Sequence, residues 1–139
     1  MASINFFVQD IDFKLPLPRK TSQWIKRVIK KDRFSVSELN YIFCSDEYLR
    51  QINIQFLNHD SYTDIITFDN STEKGEIEGE IYISIERVKE NAAKYRNSFN
   101  EELHRVMIHG VLHLMGYKDK GIKAKYEMRE KEDVSLSLR

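Results

Sequence analysis

His109 and His113, four positions apart, with Asp119 six residues further on, are the residues of this 139-residue sequence best arranged for chemistry. On an α-helix that spacing leaves about 40° of rotation and about 6 Å of rise, so the two imidazoles project side by side and can share one cation. Gly116 lets the chain turn after the helix, and the residues beyond it can fold back beneath the histidines. Asp119 is placed there to complete a facial set of three ligands. Imidazole with one carboxylate suits zinc, and three protein ligands leave a position open for water or substrate. A structural zinc site would normally recruit four ligands, often cysteines. Cys44 is the lone cysteine, so an open, catalytic metal site is the better reading.

Two histidines in an apolar helix serve structure more often than metal binding, and it is the added glycine and carboxylate that turn the balance. The residue after the first histidine is Gly110. Zinc proteases of the His-Glu-x-x-His type carry their general base at that position. Glycine cannot abstract a proton, so a metalloprotease is disfavoured.

The elements that must position this group can be read from periodicity. Leu103, Val106, Met107, Ile108, Val111, Leu112, Leu114 and Met115 make the histidine helix apolar around most of its circumference, which predicts a buried central helix. Asn100 is its expected cap, with Glu101 and Glu102 in the positive first turn and Gly116 at its end. Upstream, Ile4 to Val8 and the Ile11, Phe13, Leu15 alternation predict strands. Thr21 or Ser22 is expected to cap a helix with Trp24, Ile25, Val28 and Ile29 on one face. Leu39 to Cys44 predicts a strand, Ser45 the cap of a helix reaching about Phe56, and Ile65 to Phe68 a short strand. In Gly79 to Ser84, Ile81, Ile83 and Ile85 are expected to face one way and Glu80, Tyr82 and Ser84 the other. A helix with Val88, Ala92 and Tyr95 inward follows, and a last helix, charged throughout, covers about Lys123 to Val134. Strands and helices mix without strict alternation, so the expected class is α+β: one small mixed β-sheet packed by helices, in a single domain over residues 1–139.

Hydrophobic residues at 41% and charged residues at 32% describe an ordinary globular protein. No apolar run approaches the roughly 20 residues that span a bilayer, no secretory signal is visible, and the lone cysteine suits a reducing cytoplasm. Net charge is zero, which argues against indiscriminate binding to nucleic acid. Lys14, Arg19, Lys20, Lys26, Arg27, Lys30, Lys31 and Arg33 nevertheless cluster against one acid, Asp32, while Glu73, Glu76, Glu78 and Glu80 form an acidic stretch. The basic cluster permits a polyanionic partner, but a solvated helix face is the favoured explanation on charge alone.

The stretch His109-Gly-Val-Leu-His113-Leu-Met-Gly116-Tyr-Lys-Asp119 resembles the signature His-Gly-x-Leu-His-Leu-x-Gly-Tyr-Asp-His of the YbeY family of bacterial ribosomal-RNA-maturing endoribonucleases. Thr63-Asp64-Ile-Ile-Thr-Phe68, with Asn53 and Phe56 upstream, Gly79-Glu-Ile-Tyr-Ile-Ser84, and Met128 and Glu132 of the last helix are similar as well, so the resemblance runs from about residue 38 onward. It implies a zinc-dependent ribonuclease directed at single strands, acting in small-subunit ribosomal RNA processing and ribosome quality control, with RNA and the small ribosomal subunit as partners. It also implies a mixed sheet packed by helices with the metal at the end of a groove.

Two positions depart from the family. Asp119 stands where the third ligand is usually histidine, so an ion there carries less net charge and the oxygen ligand admits other divalent metals. Leu57 stands where the family carries an arginine that faces phosphate. Lys118, which adjoins a ligand, is the first candidate to supply that charge, followed by Lys120, Arg105 and His59. No separate general base is evident. Asp64 is a candidate by position, although it, Thr63 and Thr67 suit backbone hydrogen bonding at the start of a strand. His104 is expected to be a polar surface residue about 140° around the helix from His109. Tyr62, Tyr82 and Tyr117 could stack on bases but suit packing better, and Cys44 is read as a small buried hydrophobe. A ribosome-associated factor that keeps the metal for stability is the competing non-enzymatic reading.

Overall fold

The computed structural model describes residues 2–139. Among them the chain forms four strands and five helices, in the order β1 (Ser3–Val8), α1 (Pro18–Lys31), β2 (Ser35–Cys44), α2 (Asp46–Leu57), β3 (Ile65–Asp69), β4 (Glu76–Ser84), α3 (Ile85–Tyr95), α4 (Phe99–Leu114) and α5 (Ile122–Leu136). The strands make one mixed sheet ordered β1-β2-β4-β3. β1, β2 and β4 run parallel, and β3 pairs antiparallel with β4 at the edge.

Strand alternation sorts the two faces. Ile77, Ile81 and Ile83 of β4 join Leu39, Tyr41 and Phe43 of β2 in the main core, together with Trp24, Ile25, Val28 and Ile29 of α1. α4 contributes Leu103, Val106, Met107, Ile108, Val111 and Leu112, which makes it the central helix of that layer. The buried Tyr41 hydroxyl donates to the Met107 carbonyl at 2.9 Å, tying α4 to the sheet through a satisfied polar contact. On the other face α2 packs a smaller cluster of Cys44, Leu49 and Ile66 with Phe68 and Tyr82 beside it. The acidic stretch is largely strand: Glu76, Glu78 and Glu80 alternate with buried Ile77, Gly79 and Ile81 in β4.

Gly110 is where α4 meets the sheet. A Cβ there would stand 2.9 Å from the Ile65 side chain and 3.0 Å from that of Ile81, so only glycine allows this approach. Position 110 thus points into the sheet, which removes any place for a protease-type glutamate.

Several expected details differ. Residues Ile11, Phe13 and Leu15 form no strand; they cross the core edge as an irregular segment, Leu15 buried and the other two packed against it. Helix α1 begins at Pro18 after Leu17, so Thr21 and Ser22 lie inside it and Thr21 is buried. Proline at the start of a helix loses no hydrogen bond, which lets it open the helix earlier than a side-chain cap would. Ser98 caps α4 in place of Asn100: its hydroxyl accepts from the Glu101 N–H at 3.1 Å while the Glu101 carboxylate accepts from the Ser98 N–H. Ile85 opens α3 and remains buried, and Tyr95 at the end of that helix is exposed, not inward. The last helix runs a little longer than expected and is not solvated throughout, since Met128, Glu132 and Ser135 are buried.

Candidate functional site

His109 and His113 stand on one face of the carboxyl-terminal half of α4, both half-buried, with ring centroids 4.7 Å apart. Gly116, at φ 99°, adopts a conformation that disfavours any side chain and turns the chain back on itself. Tyr117 then fixes the returning loop. Its hydroxyl donates to Asp32 at 2.7 Å, and Lys131 of α5 donates to the same carboxylate at 2.9 Å. Asp32, the single acid of the basic stretch, thus ties the end of α1 to the loop that carries Asp119.

Asp119 Oδ2 lies 3.2 Å from His113 Nε2 and 3.4 Å from His109 Nε2. One donor atom from each residue lies within 4.8 Å of the others. Tetrahedral coordination at about 2.0–2.1 Å separates donor atoms by about 3.3–3.4 Å, so the two separations from Asp119 match those of ligands sharing a single ion such as zinc. Burial works to raise the Asp119 carboxyl, but hydrogen bonds and charge from His113 and His109 prevail and hold it below its usual range.

Behind this group Glu132 Oε2 sits 2.6 Å from His109 Nδ1. That contact favours the proton on Nδ1 and turns Nε2 toward Asp119, where its lone pair would be available to a metal ion, an arrangement common behind histidine ligands. Arg105 donates to Glu132 Oε1 at 2.8 Å and to Asp133 at 2.7 Å. Burial alone would raise the Glu132 carboxyl, but His109 and Arg105 lower it; burial alone would lower His109, but Glu132 raises it. Asp64, of which burial raises the pKa, lines a small pocket of about 140 Å³ with His109, Arg105 and Glu132.

The sequence candidates for phosphate contact fall in different places. Lys118 and Lys120 are exposed and flank Asp119; His59 is exposed just beyond α2; Arg105 faces two carboxylates. Leu57 is exposed at the end of α2. A wide open groove of about 450 Å³ beside His109 and Asp119 is lined by Lys125 and Arg129 of α5 and by Tyr95. The sequence reading did not single out these three as ligand contacts. Lys125 and Arg129 are four apart on α5, a spacing that puts both on one face of that helix. Of the tyrosines, Tyr62 lies under Arg50 and Arg87 at 5.7 and 5.5 Å, Tyr82 packs edge-on against Phe68, and Tyr117 is the loop anchor.

His104 departs from expectation. It is 5% exposed, stands edge-on to Trp24 at 5.5 Å between ring centroids, and its buried Nδ1 has no hydrogen-bond partner among the described residues. Burial, with the charge of Arg139, pushes its pKa down to about 4. The helix there faces α1, not solvent, and an aromatic ring suits that interface.

Comparison with known proteins gives the family. The family described as endoribonuclease YbeY matches residues 7–138. The endoribonuclease YbeY of Cytophaga hutchinsonii is 57% identical over 137 residues, covering 99% of this chain and 96% of that protein. The endoribonuclease YbeY of Amoebophilus asiaticus is 50% identical over 135 residues, 97% of this chain and 92% of that one. The solution structure of TM1509 from Thermotoga maritima superposes with a TM-score of 0.72 at 31% identity, covering 98% of this chain and 88% of that one. The match extends upstream of residue 38, where the sequence resemblance began, through α1 and into β1. With its histidine helix, returning carboxylate and near full-length likeness to these proteins, the chain belongs to the endoribonuclease YbeY family.

Proposed function

We propose that the protein is a zinc-dependent endoribonuclease, one hydrolase domain over residues 1–139, that cuts single-stranded segments of ribosomal RNA during maturation and quality control of the small ribosomal subunit in the cytoplasm. The observation that carries this reading is the convergence of His109 Nε2, His113 Nε2 and Asp119 Oδ2 at separations of 3.2 and 3.4 Å beside an open groove. The relatives' names supply the reaction class: each is an endoribonuclease. No helix among the described residues is long and apolar enough to cross a membrane.

His109, His113 and Asp119 would hold the ion. A divalent cation there supplies Lewis-acid polarisation of a phosphoryl oxygen and activation of water. Glu132 keeps the Nδ1 proton of His109 in place and so keeps Nε2 available. Lys125 and Arg129 line the opening, and the exposed Lys118 and Lys120 flank Asp119 in the chain; together they would supply positive charge for phosphates in place of the family arginine absent at Leu57. Tyr95 offers a face on which a base can stack, a contact available only to unpaired nucleotides. Asp64, in the pocket behind His109, is the candidate proton carrier.

The test is cleavage of a short single-stranded RNA. Parent protein should cut it, a chelator should abolish cutting, added zinc should restore it, and His113→Ala should be inactive. Cutting that survives both chelation and His113→Ala would refute the reading. An inactive parent whose thermal midpoint falls on chelation would favour the non-enzymatic ribosome-associated factor.

A further inference from the structure

On the side of α4 away from the metal group, a pocket of about 320 Å³ opens between α1 and the amino-terminal half of α4. Lys20, Trp24 and Arg27, spaced along one face of α1, line one wall; Asn100 and His104, one turn apart on α4, line another; Arg139 closes the side. Three cations border it, and no acidic residue is among those lining it. The Arg139 guanidinium stands 5.6 Å from the Trp24 ring centroid, and Arg27 donates to the Leu138 carbonyl at 3.1 Å. Cations brought together around a concave surface repel one another, and an anion relieves that repulsion.

His104 is buried and forms part of the wall of this pocket; its unpartnered Nδ1 is enclosed by protein atoms, so the cations and Asn100 are the groups that face an occupant. The depressed pKa of His104, due to burial and to Arg139, shows that the ring adds no charge of its own near neutral pH. A neutral polar ring, an amide from Asn100 and three permanent cations form a lining suited to a compact, highly charged oxyanion. The volume falls at the lower end of pockets that hold small molecules, roughly 300–1,000 Å³.

We propose that this pocket is a binding site for a phosphate monoester, the group borne by a free mononucleotide or by the 5′ end of an RNA strand. A monoester carries nearly two negative charges near neutral pH and accepts several charge-assisted hydrogen bonds, whereas an internal phosphodiester carries one. The site lies about 140° around α4 from the metal ligands, and the proposal does not rest on the nuclease reading.

Trp24 is the only tryptophan in the chain, so its fluorescence reports this pocket alone. Titrating the full-length protein at constant ionic strength with inorganic phosphate or adenosine 5′-monophosphate should give a saturable change; adenosine should give none. Lys20→Gln and Arg27→Gln, both at exposed positions, should each weaken binding about tenfold or more, as expected for losing a charge-assisted contact. Chelation and His113→Ala should leave the titration unchanged, which separates this site from the metal centre. Tighter binding of a 5′-phosphorylated oligoribonucleotide than of the mononucleotide identifies a strand end as the source; equal or weaker binding identifies the free nucleotide. The absence of saturation with both phosphate and mononucleotide would overturn the proposal. So would an equal response to a 5′-hydroxyl oligonucleotide, or binding unaltered in both variants.

Discussion

The Glu132 carboxylate lies 2.6 Å from His109 Nδ1, and this contact joins the last helix of the chain to the central helix beside the His109, His113 and Asp119 group. The same carboxylate accepts from Arg105, so α4 and α5 are cross-linked by charge behind the ligands. Through this pairing an otherwise charged helix acquires a buried carboxylate.

Removing that charge should be felt at the metal. Glu132→Gln should weaken metal affinity by about 10–100-fold while circular dichroism stays unchanged, because the group behind a ligand histidine sets its orientation and basicity. Competition against a chromophoric chelator measures it. Parent-like affinity would show that the contact is only structural.

Asp119 should be replaceable by another ligand and not by a methyl group. Asp119→Ala should bind the metal more weakly with the fold retained, and Asp119→His should retain binding, since either donor can complete the set. Isothermal titration of both variants decides it. Parent-like binding by both would remove Asp119 from the ligand set.

Gly110 gives a stability prediction with two opposed effects. Alanine gains about 1 kcal/mol of helix propensity, while crowding against Ile65 and Ile81 costs about 1–3 kcal/mol. Gly110→Ala should therefore be mildly destabilising and Gly110→Val, larger and β-branched, clearly more so. Urea melts should rank them parent, alanine, valine; a valine variant as stable as the parent would contradict the close approach seen at 2.9 Å.

His104 predicts an acid-sensitive fold. Its pKa falls from 6.5 to about 4 on folding, so between those values the unfolded chain binds the extra proton. Stability from this group is full above the unfolded value and is lost as pH falls through that window, on the order of 3 kcal/mol in total. Denaturant midpoints should drop between pH 6.5 and 4 in the parent and drop less in His104→Phe. Equal slopes would assign the loss to other groups.

The convergence of His109, His113 and Asp119 was legible in the sequence because helical spacing alone brings His109 and His113 together and Gly116 announces the turn before Asp119. The α+β class, the Ser45 cap and the alternation of β4 were legible for the same local reasons. Glu132 was legible only as part of the family resemblance; its burial and its contact with His109 were not, since a carboxylate in a charged helix looks solvated until the Met128, Glu132 and Ser135 positions are seen to be buried. The burial of His104 is not legible in the sequence, because helical spacing gives only its angle from His109, and the packing of Trp24 of α1 against it is tertiary. Asp32 and Tyr117, 85 positions apart, meet only through tertiary packing.

Metal content tests the central claim most directly. Elemental analysis of purified parent protein should find one divalent ion per chain, and His113→Ala should hold almost none while remaining folded. One equivalent in both proteins would contradict a centre built from the two histidines and Asp119.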